Sequence, residues 1–283
     1  LGATEQLIDV PAHSAGQTGT YFESHWFQVS MAANYRTVYY ARMSIAEPAR
    51  RTVASVVTPA DIRPEERARM FAIMNEHFVG VERDVFEQDL SEKDWVVRVD
   101  DHRGELQGFT TLKLLSHVDG DTTTYGFFSG DTVLSPDFMS DSSWIGVWAR
   151  HVFAVAAEKP ESRFFWILLT ATHRTYRILP ACYLRFAPDP DHPDETDLRH
   201  WINTFVPKKF PDEFDPARGV VQLAHPIPYR HTDDVAADSD AHNRYSRYFR
   251  DVNPGYLRGD FLCCATEIRP DNVTALGRRV LKG

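Results

Sequence analysis

Between residues 95 and 134 the chain alternates three times between β-rich runs and Asp/Gly turns, and that alternation leaves few folds open. Residues 95–99 read as a strand, Asp100-Asp101-His102-Arg103-Gly104 is hairpin-turn chemistry, residues 106–115 return, and Asp119-Gly120-Asp121 leads into a long run over 122–134. Three consecutive antiparallel strands are the simplest reading. Upstream, residues 53–57 form a short β-branched run. Thr58-Pro59-Ala60-Asp61 then supplies an N-cap, a first-turn proline and an acidic residue three places on, which predicts a helix. Met70, Phe71, Met74 and Phe78 share one face of it, and Gly80 is its terminator. Downstream, Ser135-Pro136-Asp137 breaks the strand, and a helix carrying Trp144, Val147, Trp148, Val152 and Val155 stops near Lys159-Pro160. Residues 164–169 are continuously apolar, as in a strand buried on both faces in a parallel arrangement. A short helical segment over 171–179, ended by Pro180, and a candidate strand over 182–186 complete this region.

The chain has 283 residues, 43% of them hydrophobic, enough for a sizeable core. Its net charge of −9 weighs against a duplex-binding protein, whose affinity comes from Lys and Arg against phosphates. No apolar run approaches membrane-spanning length, and no basic-then-apolar signal pattern opens the chain. The three cysteines, Cys182, Cys263 and Cys264, make no disulfide framework, and the adjacent pair points to opposite faces if it lies on a strand. A reducing cytoplasm is the expected compartment.

Three segments are expected. Residues 1–50 read as an N-terminal arm, whose Tyr21, Phe22, Trp26 and Phe27 suit the support of a homo-oligomer. Residues 51–188 form the core. Residues 189–283 form an extension that packs on it, carrying Trp201, Phe205, Phe210, Phe249 and Phe261, with a helix over 198–205, a strand over 219–223, a helix over 241–249 and a last strand over 259–268. The Asp/Pro-rich stretch over 187–195 between them reads as a solvated linker, not a cation loop. His225 and His231 sit in a proline-rich loop, and no metal is expected. No nucleophile-elbow, dinucleotide, Walker or zinc-protease motif occurs.

The order of strand, helix, three hairpin-linked strands, helix, apolar strand, short helix and strand resembles that of the GCN5-related N-acetyltransferases over about half the chain. The resemblance implies an α/β fold with a mixed, mostly antiparallel sheet and flanking helices. It implies a donor thioester, acyl-CoA or phosphopantetheine, in a splay between the fourth and fifth strands, with Thr132, Val133 and Leu134 holding the pantetheine by main-chain hydrogen bonds. The matching phosphate loop reads Phe138-Met139-Ser140-Asp141-Ser142-Ser143, without the family's glycines and with an added carboxylate. Ser140, Ser142 and Ser143 are nonetheless the N-terminal residues nearest the donor phosphates.

By the same resemblance Tyr176 is the proton donor to the departing thiolate, and Asp131 is a base acting through water. Each has a plainer reading, a packed phenol for Tyr176 and an edge carboxylate for Asp131. Arg174 and Arg177 suit donor phosphates or the acidic helix of an acyl carrier protein, unless they are simply a solvated helix face. The expected activity is biosynthetic: transfer of an acyl group from acyl-CoA or an acyl carrier protein to a small-molecule amine. The competing expectations are a thioester decarboxylase, isomerase or hydrolase on the same scaffold, and a non-catalytic binding or assembly module.

Overall fold

The structure, a computed structural model, describes residues 52–138, 143–228, 230 and 243–282. The N-terminal arm with its aromatic residues, Ser140, Ser142 and His231 lie outside them. Among the described residues, strands β1 (Thr52–Val57), β2 (Trp95–Asp101), β3 (Leu106–Asp119), β4 (Thr122–Leu134), β5 (Arg163–Thr170), β6 (Phe214–Asp215), β7 (Val220–Val221) and β8 (Phe261–Glu267) form one sheet in the order β1-β2-β3-β4-β5-β8-β7-β6. β4 and β5 are parallel and every other neighbouring pair is antiparallel. The two expected hairpins form where the turn chemistry lies, with Gly104 at φ +81° and Gly120 at φ +57°, a conformation that suits residues without Cβ.

Helices cover both faces. On one, α1 (Pro64–His77), α2 (Arg83–Ser91) and α6 (Thr196–Phe205) bury Met70, Ile73, Phe86, Leu90, Ile202 and Phe205 against Phe109, Phe128, Phe165 and Ile167. On the other, α3 (Ser143–Ala157), α4 (His173–Tyr176), α5 (Ile178–Cys182), α7 (Arg244–Val252) and α8 (Ala275–Lys282) meet Phe127, Phe164, Trp166 and Leu168. β5 therefore sends alternate residues into two cores, which is why its sequence is apolar without alternation. β8 does the same, and Cys263 and Cys264 fall on opposite faces as expected.

Several expectations are corrected. The Thr58 capping chemistry closes a 3₁₀ turn, not the helix: Thr58 donates from its backbone and hydroxyl to Asp61 Oδ2 at 3.1 and 2.6 Å. The helix begins at Pro64, where Glu66 accepts from the Arg63 N–H at 2.9 Å in a second box. Pro180 does not end its helical segment, because it is the third residue of α5, within the first turn whose N–H groups have no intrahelical acceptor. The strand expected over 182–186 is reduced to a single bridge between Tyr183 and Val273. The stretch after Phe186 is not wholly solvated: Ala187 exchanges both backbone hydrogen bonds with Ala265 at 2.8 Å, and the buried Asp189 accepts from His192 Nδ1 at 2.9 Å. Residues 189–283 do more than pack on the core, because they place β8 beside β5 and complete the sheet.

Candidate active site

The parallel strands stay together only part of the way. β4 pairs with β5 from Thr124↔Arg163 to Ser129↔Leu168, after which β4 remains on β3 as far as Leu134 while β5 remains on β8 as far as Thr170. The parting point coincides with a bulge. Thr110 opposes Thr132 and Leu112 opposes Ser129, so Thr111 faces two residues, Gly130 and Asp131. Beyond it, alternate residues of β4 direct their N–H and C=O away from β3, into the widening gap.

The bulge sorts side chains between the layers. Val133 belongs to the α1–α2 core, and Asp131, two residues before it, shares that side; Leu134 belongs to the α3 core. Thr132 shares a 2.7 Å hydroxyl hydrogen bond with Thr110 on the α3 side. Asp131 is buried at 2% exposure, and its charge acts on Lys93, which lies just beyond α2. Lys93 Nζ is 2.6 Å from Asp89 Oδ2, and the Lys93 side chain is fully enclosed. Burial outweighs the mutual attraction, raising the Asp89 carboxyl and lowering the Lys93 ammonium from their ordinary values. Asp89 Oδ1 and Thr111 Oγ1 are buried without a hydrogen-bond partner among the described residues.

On the α3 side an apolar cavity of about 40 Å³ reaches the parting point, since Ser129 and Leu168, the last paired residues, both line it. Trp144, Trp148 and Trp166 form its aromatic wall, and α8 closes its far side. Gly277 makes that closure possible: a Cβ there would stand 2.5 Å from the Cys182 carbonyl oxygen.

The other expected site residues are dispersed. Tyr176 is fully buried beside Phe186, Tyr245, Tyr248 and Phe249, and its hydroxyl donates to the Pro188 carbonyl at 2.7 Å. Burial pushes its phenol above the ordinary range. Arg174 on α4 and Arg177 at the α4–α5 junction are half-buried. Ser143 opens α3. The Leu134 carbonyl accepts from His77 Nε2 at 2.6 Å, which ties the end of β4 to α1. Sequence reasoning passed over Lys93, Asp89 and the tryptophan wall. The i,i+4 spacing of Asp89 and Lys93 was the available signal, though on a helix surface it marks an ordinary exposed pair. Among the described residues no group of three His, Cys, Asp or Glu is placed to hold a metal, and no helix is long and apolar enough to cross a membrane.

The sheet is mostly antiparallel, its fourth and fifth strands run parallel and then part, and helices cover both faces, which is the mixed α/β arrangement expected from the order of elements. No family model matches the chain, and no curated protein does. Solved structures to which it is similar include a conserved Enterococcus faecalis protein of unknown function described as a probable N-acyltransferase, at 14% identity over 48% of this chain and 33% of that one, TM-score 0.35. Arabidopsis thaliana NAA60 in complex with acetyl-CoA is 12% identical over 47% of this chain and 89% of that one, TM-score 0.35. IAA acetyltransferase from Bacillus cereus is 7% identical over 77% and 99%, TM-score 0.34. The chain spans about a third of the length of the first of these.

Proposed function

We propose that the chain transfers an acyl group from a thioester to a small-molecule amine in the gap between β4 and β5. The observation that carries this reading is the parting of the two strands at Ser129 and Leu168, with a carboxylate on one face of the bulge and an apolar cavity on the other. The pantetheine arm lies along residues 132–134 and accepts and donates main-chain hydrogen bonds there. The neutral amine attacks the thioester carbonyl carbon, the C–N bond forms and the C–S bond breaks. The proton lost by nitrogen passes through water and Asp131 and ends on the departing sulfur, giving amide and thiol. Lys93 and Asp89 are positioning residues that set the charge around Asp131. The reading assigns no step to Tyr176, whose phenolic proton is engaged by Pro188.

The donor is an acyl-CoA or a phosphopantetheine thioester on an acyl carrier protein. The stretch from Phe138 to Ser143 has no glycine to let phosphates approach and adds Asp141, which favours a carrier-protein donor that lacks the CoA pyrophosphate. Ser140, Ser142, Ser143, Arg174 and Arg177 are the residues proposed to face donor phosphate. Thiol release and melting temperature, measured with acyl-CoA and with acyl-loaded carrier protein in the presence of a panel of amines, test the reading. Thiol release that depends on the amine is expected with at least one donor. Absence of both thiol release and thermal shift with every donor would overturn it.

A further inference from the structure

The cavity beside the parting strands is larger than an acetyl group requires and has the wrong chemistry for a polar one. It lies between α3, β5, α5 and α8, and its wall is formed mainly by Trp144, Trp148, Trp166, Leu168 and Ile178. The hydroxyls nearest the strands are already engaged. Ser129 Oγ accepts from Trp166 Nε1 at 2.7 Å, Thr110 Oγ1 is 2.7 Å from Thr132 Oγ1, and Thr175 Oγ1 is 2.9 Å from Thr172 Oγ1. A group entering from the gap therefore meets apolar surface with its local polar atoms satisfied by one another.

We infer that this cavity is the acyl subsite, and that the acyl group it takes is an unbranched or compact apolar chain of about four to six carbons. The inference rests on the thioester reading above. At about one water-sized group per 10–15 Å³, a cavity of about 40 Å³ takes roughly three such groups beyond the carbonyl and its neighbour. Each methylene moved from water into such a wall tightens binding about four-fold. Acetyl leaves the cavity unfilled, and a chain past its end meets α8, which is held close to α5 by Gly277.

Cys182 lines the cavity and reports on its occupancy, because Cys263 and Cys264 are buried in β8. Burial pushes the Cys182 thiol up to about 11, so alkylation is slow near neutrality and is best followed at raised pH. The test uses the full chain with acetyl-, butanoyl-, hexanoyl- and dodecanoyl-CoA, and with the same acyl groups on pantetheine. Three readouts are followed: dissociation constant, thiol release with an amine panel, and the rate of Cys182 alkylation by iodoacetamide. The expected result is tightening of about four-fold per methylene from acetyl to hexanoyl, with a fall at dodecanoyl, and slowing of Cys182 alkylation by butanoyl and hexanoyl donors only. Ala149, on the cavity wall, gives an independent variant: Ala149→Leu is expected to abolish the preference for hexanoyl over acetyl while the protein still melts cooperatively. If thiol is released equally well from acetyl and hexanoyl donors and alkylation is unaffected, the subsite is wrong and acyl transfer stands. If hexanoyl donors protect Cys182 and none releases thiol, the subsite stands and transfer is wrong. Neither protection nor thiol release with any donor overturns both.

Discussion

Replacing Lys93 by Met removes the cation enclosed between the two buried carboxylates of the α1–α2 layer. The Lys93 side chain has no solvent exposure, Asp89 has 5% and Asp131 2%. Two carboxylates left in such surroundings cannot recover their lost hydration, so the substitution is expected to cost about 3–5 kcal/mol at neutral pH. That is a large part of the roughly 5–15 kcal/mol that holds a typical domain. Urea unfolding followed by tryptophan fluorescence measures it, and Asp89→Asn/Lys93→Met separates the partners. The double variant should recover part of the loss, and the rest should return only when Asp131→Asn is added. The pH dependence has a definite sign. Burial raises the Asp89 carboxyl above its unfolded value, and removing Lys93 removes an influence that lowers it. A raised carboxyl favours the folded state while protonated and loses that contribution as pH rises through its folded value, so the deficit of Lys93→Met should shrink as pH is lowered toward about 4. A loss below about 1 kcal/mol at neutral pH, or a deficit that grows on acidification, would refute a buried charge cluster here.

Tyr176→Phe removes the hydrogen bond to Pro188 and is expected to cost about 1–2 kcal/mol, read as a shift in urea midpoint, with thiol release kept within a few-fold. A fall of about a hundred-fold in turnover with the fold intact would return the proton-donor role to Tyr176. Glu66 is held down to about 2, first by the hydrogen bond from Arg63 and then by Arg98. Its folded value lies below the unfolded one, so its contribution is present above about pH 4.5 and lost as pH falls toward about 2. The stability difference between wild type and Glu66→Gln should therefore narrow across that window; a difference unchanged at pH 3 would mean that the arginines do not hold this carboxylate.

The local features of the fold are legible in the sequence because their causes are local. Gly104 and Gly120 sit where hairpin turns require them, and the apolar run of β5 announces burial on both faces. The position of β8 is not legible, because pairing of Leu168 with Cys264 joins segments far apart in the chain, and no pattern in either strand names the other. α8 goes unread for a similar reason: nothing in its short sequence names what it packs against, and only Gly277 against the Cys182 carbonyl shows that it walls a cavity. At the candidate site the resemblance led to residues by their order. Asp131 lies at a bulge that no pattern in the sequence marked, and Tyr176 is held among aromatic rings by α7, an element outside the matched half of the chain. Lys93 was hidden because burial of an ion pair depends on what covers it.

The bulge offers a sharper test of the site than any single side chain. Ser129 faces the α3 layer, and three residues later Thr132 faces it again, where a regular strand would have returned after two. Gly130 is therefore the residue whose removal restores the strand period without changing which layer Asp131, Thr132, Val133 and Leu134 enter. Deleting it should leave both cores packed, with a stability change on the order of 1 kcal/mol, because no buried side chain is lost or inverted. What changes is the path of β4, which would follow a regular ladder with β3 and lose the local bend that accompanies its departure from β5. Under the proposed function, thiol release should then fall by about a hundred-fold or more, since thioester and amine no longer meet at a gap of the right width. A deletion variant that folds and retains full turnover would show that the bend at Gly130 plays no part in catalysis; one that fails to fold would refute the expectation that both cores stay packed around a regular ladder.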